Sequence, residues 1–155
     1  MARARRPLLL AGRSRGAVRR ILTSAVALLA GCCLSACEPL GPDELQREVE
    51  TVHSIAAEGS VLANEIAGQN TKRTFARVQA RELANAAQHA AERLTDAHPA
   101  EGLVASTERA ISLAEDVSSV VGELETAPDD AGAASASAAR LRALAAKTDG
   151  LAASL

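Results

Sequence analysis

The chain has 155 residues, with 17 basic and 19 acidic side chains and a formal charge of -2, a size suited to one domain. Trp and Tyr are absent and Phe75 is the single aromatic residue, so base-stacking platforms and aromatic cages lack their parts. All three cysteines fall between positions 32 and 37, which leaves no CxxC centre or disulfide framework for the rest of the chain.

The first twenty residues carry Arg3, Arg5, Arg6, Arg13, Arg15, Arg19 and Arg20 and no acid. The apolar run ILTSAVALLAGCCLSAC, residues 21 to 37, follows. Its uninterrupted part, Ile21 to Leu34, is fourteen residues long, short of the roughly 20 needed to span a hydrocarbon core. A basic start before a short apolar run and small residues is the pattern of a secretory signal.

Two stretches, Leu29-Ala30-Gly31-Cys32 and Leu34-Ser35-Ala36-Cys37, each resemble the lipobox of bacterial lipoproteins. The resemblance implies diacylation of one cysteine, which becomes the mature N-terminus. Acylation at Cys32 would leave Cys33 and Cys37 as spare thiols outside the cytoplasm, whereas acylation at Cys37 leaves none, which favours Cys37 with Cys32 as the alternative. Two acyl chains hold a protein firmly where one holds it reversibly. The expected location is therefore the extracytoplasmic side of the cell membrane. Beyond the lipobox, the composition is similar to that of small alanine-rich lipoproteins of high-GC bacteria.

The expected organisation is a signal over residues 1 to 36, a linker over 37 to 41 and a helical domain over 42 to 155. The mature part retains 10 basic residues against all 19 acidic ones, a charge of -9. That balance argues against nucleic acid as a partner, because phosphates require a basic face. Its 28 alanines and 24 Val, Ile, Leu and Phe residues point to helices around a thin core.

The first predicted helix starts at Pro42 or Asp43, where Asp43 and Gln46 have capping-box spacing. Leu45, Val49, Val52, Ala56, Gly59, Ala63 and Ile66, widened by Ile55 and Leu62, form its stripe. Gly68 ends it. The second runs from about Thr71 to Asp96, with Phe75, Val78, Leu83, Ala86, Ala87, Ala90 and Leu94 expected on one face and the polar Gln79 and Glu82 close by. The third runs from about Pro99, placed in its first turn, to Glu125. Its broad face of Leu103, Ala110, Ile111, Leu113, Ala114, Val117, Val120, Val121 and Leu124 marks it as the best-buried helix.

Asp129 or Asp130 caps the fourth helix. Leu141, Leu144, Ala145, Leu151, Ala152 and Leu155 form its stripe, with Gly150 opposite. Residues 131 to 139 are all Ala, Gly or Ser, so its start is expected to fray. Short connections make neighbours antiparallel, giving an all-α up-down-up-down four-helix bundle. A three-helix core with the fourth helix loosely attached is the alternative.

Glu50-Thr-Val-His53 has the Glu-x-x-His spacing of di-iron bundles, but the full set needs a second such motif and two more glutamates. His89-Ala-Ala-Glu92 runs in the reverse order. A ligand or metal site drawing on Glu50, His53, Glu82 and His89 is thus an incomplete constellation, and no metal or other cofactor is expected. Arg73, Arg77 and Arg81 recur every four residues and could meet an anion or a partner, although a solvated face balanced by Glu82 and nearby acids is the favoured reading. No nucleophile, base and oxyanion arrangement converges, so an enzyme is not expected. Two roles remain open. The domain is a tethered interaction module for an envelope protein, or it carries a small ligand or metal in the groove around the second helix.

Overall fold

The computed structural model describes residues 39 to 155; the signal segment and both candidate acylation sites, Cys32 and Cys37, lie outside the described residues. Four helices follow: α1 (Pro42–Ala67), α2 (Arg73–Asp96), α3 (Val104–Thr126) and α4 (Ala131–Ala152). They form the expected antiparallel four-helix bundle. The tightest pairs are α1 with α4 and α2 with α3, while α1–α2 and α3–α4 are looser seams; α1 and α3 also touch across the diagonal.

The α1 stripe is buried as its spacing predicts, from Leu45 through Val49, Val52, Ile55, Ala56, Gly59, Leu62 and Ala63 to Ile66. Its start differs. Gly41 is the N-cap with Pro42 following and no side-chain cap, and Gln46 instead donates to Glu50 Oε1 at 3.0 Å. Proline at the first position sets the helical φ and removes an amide that would need a cap, so the Asp43–Gln46 capping box does not form.

Its end closes by a pair of reversed hydrogen bonds, Gln69 N–H to the Ile66 carbonyl at 3.0 Å and Asn70 N–H to the Glu65 carbonyl at 2.9 Å. This is the Schellman arrangement. Its left-handed residue is Gln69, at φ 56°, while Gly68 keeps helical angles.

The second helix departs most from expectation. Its buried residues are Ala76, Ala80, Leu83, Ala87, Ala90, Ala91 and Leu94; Phe75 and Val78 are 59% and 54% exposed, and Ala86 is exposed as well. Alternate steps of four and three through residues 76, 80, 83, 87, 90 and 94 define a seam of mostly alanine, which lets the α2 and α3 backbones approach closely. A phenylalanine cannot enter that seam without pushing the helices apart. Ser118 Oγ, donating to the Ala84 carbonyl at 3.1 Å, ties the two helices together.

Pro99 precedes α3 rather than opening it. It pairs with Leu40 in an isolated parallel bridge, with Leu40 N–H donating to the His98 carbonyl at 2.8 Å and Ala100 N–H to the Leu40 carbonyl at 3.1 Å. Leu40 is therefore not free linker. It is buried in a small end cluster with Leu45, Val49, Leu94, Ala110 and Leu151. The larger cluster fills the rest of the bundle.

The third helix buries Thr107, Ala110, Ala114, Val117, Val120, Val121 and Leu124, with Leu103, Ile111 and Leu113 half-buried against the core. The helix with most buried residues is α1, with ten against seven on α3. Nor does α4 fray. Asp130 Oδ1 accepts from Ala133 N–H at 2.9 Å, and Ala134, Ser137 and Ala138 are buried. Small side chains at the start of α4 let it settle onto α1, which removes the three-helix alternative.

Candidate functional site

The four candidate ligand residues do not converge. His53 turns toward α4, its Nδ1 lying 3.2 Å from the Ala145 carbonyl, 3.4 Å from Thr148 Oγ1 and 3.0 Å from Asp149 Oδ1. Glu50 lies on the exposed surface with Gln46. On α2, His89 Nδ1 contacts Glu92 Oε2 at 2.9 Å, and that hydrogen bond, aided by one from Gln88, holds the Glu92 carboxyl below its usual range. Glu82 is exposed and separate from both groups. α1 presents His53 to α4 rather than to α2. No group of three or more His, Cys, Asp or Glu able to hold a metal occurs among the described residues.

The arginines act as ties between elements. Arg81 donates to Glu125 Oε1 through Nε at 2.8 Å, and Arg73 reaches Asp129 Oδ2 at 3.6 Å. Arg77 forms no ion pair among the described residues. The balancing acids come from α3 and the α3–α4 turn rather than from Glu82. Elsewhere Arg93 grips Glu48 with two bonds of 3.1 and 2.7 Å, which raises the Arg93 pKa further, and Arg140 grips Glu123. These exposed pairs orient helices more than they stabilise them.

The looser α1–α2 seam opens into a groove of about 680 Å³. Its α1 wall is Ala57, Glu58, Val61, Leu62 and Glu65; its α2 wall is Phe75, Gln79 and Leu83, with Asn70 and Thr71 closing the turn end. Val61 is 60% exposed and Phe75 59%, and Val78 stands one turn on from Phe75. The groove exists because α2 gives its alanine seam to α3, leaving the Phe75 side of the helix with no opposing helix to fill it. Gln79 is half-buried at this edge, which places the polar residue the sequence singled out on the groove wall. Val61 was missed by the stripe analysis, although it is the one large apolar residue of α1 outside the stripe.

A second groove of about 520 Å³ runs along the α3–α4 seam past Arg109, Leu113, Asp116, Lys147 and Leu151. It is lined by both signs of charge and has fewer exposed apolar side chains. No described helix is long and apolar enough to cross a membrane.

Fold and groove together describe a helical bundle with one open apolar seam. Comparison with protein-family models, curated proteins and solved structures finds no match to the chain.

Proposed function

We propose that this chain is an exported lipoprotein, held in the membrane through acylated Cys37, whose bundle is an interaction module for an envelope or membrane protein. The observation that supports it best is the exposure of Phe75, the only aromatic residue, beside Val61 in the α1–α2 groove. A thin-cored domain with few large apolar side chains leaves several of them in water at one place. Covering each would contribute on the order of 1 kcal/mol, since full burial of such a side chain is worth about 1.5 to 3 kcal/mol. Contiguous exposed apolar surface of this kind marks interaction sites.

A second reading is carriage of a small ligand in the same groove, whose volume of about 680 Å³ falls within the range of small-molecule sites. The test begins with the mass of the mature N-terminal peptide, expected to start at an acylated Cys37. Cys37→Ala is expected to abolish membrane retention. Continued lipidation of that variant would transfer the anchor to Cys32. Crosslinked affinity capture from the native membrane is then expected to yield one near-stoichiometric protein. An empty capture, with a ligand found in the purified sample, would favour the second reading.

A further inference from the structure

The α1–α2 groove carries more than apolar surface. Glu58 and Glu65 lie on its α1 wall, and Glu82 stands two turns beyond Phe75 on the same face of α2. None of the three forms an ion pair among the described residues. Lys72 is the α2 N-cap, and Arg77, without an ion pair among the described residues, stands about 200° around α2 from Phe75; the groove lining itself holds Glu58 and Glu65 and no base, so carboxylates predominate there. Arg73 and Arg81 do not offset them, being engaged by Asp129 and Glu125.

The position of the groove narrows its occupant further. The folded domain is pinned at Leu40, three residues after Cys37, by its two backbone bonds to the α2–α3 connection. An acyl anchor at Cys37 therefore holds that end of the bundle near the bilayer. Val61 lies twenty residues along α1 from Gly41, or about 30 Å at 1.5 Å per residue, toward the opposite end. Anionic lipid headgroups are disfavoured by the carboxylates. A second copy of this chain, with a mature charge of -9, would bring like charges together.

We infer that the α1–α2 groove binds a short amphipathic helix of a partner protein, with two or three aliphatic side chains set against Phe75 and Val61 and flanking Lys or Arg residues paired with Glu58, Glu65 and Glu82. The walls run nine residues along each helix, Ala57 to Glu65 and Phe75 to Leu83, eight steps or about 12 Å, which matches two turns of a docked helix. This deepens the interaction-module reading and rests on it.

The test uses the full-length lipoprotein in phosphatidylcholine nanodiscs, with empty nanodiscs as the blank. Two labelled 14-residue peptides share one leucine stripe at helical spacing, flanked in one by lysines and in the other by glutamates. Fluorescence anisotropy should show the lysine peptide binding at least tenfold more tightly. Phe75→Asp should reduce that binding at least tenfold, and Glu58→Lys combined with Glu65→Lys should reverse the preference. All three positions are exposed, so the variants should keep the wild-type melting temperature by circular dichroism.

Equal binding of the two peptides, absence of binding, or binding unchanged by Phe75→Asp would overturn the inference. So would binding of anionic vesicles lost on Phe75→Asp, which would assign the groove to a lipid surface. Binding of dodecyltrimethylammonium without binding of the lysine peptide would assign it to a small ligand. An unacylated mature N-terminus would sink the anchor alone, whereas failed peptide binding by an acylated protein would sink this inference alone.

Discussion

Three glycine or turn positions show how strongly a local environment decides the effect of one residue. Gly59 sits on the buried side of α1, where an added Cβ would lie 3.0 Å from Val121 Cγ2 and 3.2 Å from Leu141 Cδ1. Alanine there gains about 1 kcal/mol of helix propensity, but overpacking costs about 1 to 3 kcal/mol. Gly59→Ala should therefore lower the melting temperature. At Gly150 nothing lies within 4 Å, so Gly150→Ala should raise it by about 4 °C, the propensity term acting alone. Gln69 holds a left-handed conformation that costs a side-chain residue about 1 to 2 kcal/mol. Gln69→Gly should stabilise the fold despite the greater freedom glycine gives the unfolded chain, and differential scanning calorimetry reads all three changes.

At the scale of the element, α2 explains both the architecture and the groove. Its alanine seam faces α3, so Ala87→Leu should cost about 1 to 3 kcal/mol by forcing the helices apart. Phe75→Ala should change stability by no more than about 0.5 kcal/mol, the range of ordinary surface positions, even though it removes the only aromatic side chain. Urea unfolding of the two variants distinguishes this arrangement from the one the sequence suggests, in which Phe75 is core. Sequence reasoning weighted large apolar residues over small ones. That choice succeeds for α1, where leucine, isoleucine and valine occupy the seam, and fails at the start of α2, where Ala76 and Ala80 are buried in place of Phe75 and Val78, although Leu83, Ala87, Ala90 and Leu94 are buried as expected. At the α3–α4 turn, Asp130→Ala should cost about 1 kcal/mol by removing the α4 cap, with the loss visible as faster amide exchange at Ala133.

At the scale of the whole molecule, the chain entry is part of the fold. Leu40 closes the end cluster and bonds to His98 and Ala100 in the α2–α3 connection. Leu40→Asp should therefore destabilise the entire end of the bundle and deprotect the Ala100 amide in hydrogen exchange, while leaving residues around the groove protected. The ion pairs follow the same organisation: Arg81–Glu125 and Arg93–Glu48 tie α2 to α3 and α1, and none completes a binding centre.

Helix number, order and polarity were determined by the sequence alone, because heptad-like spacing, proline and glycine breaks and short connections act locally. The α1 and α3 faces followed for the same reason, each having one dominant stripe. Which residues at the start of α2 turned inward, whether the Ala, Gly and Ser start of α4 packed, and whether Glu50, His53, Glu82 and His89 could meet were decided only by the tertiary structure. Those outcomes depend on how closely two backbones approach, and close approach rewards small side chains at positions where periodicity alone gives large ones priority. The groove is the consequence: α2 packed by its alanines, and its phenylalanine was left facing the open seam.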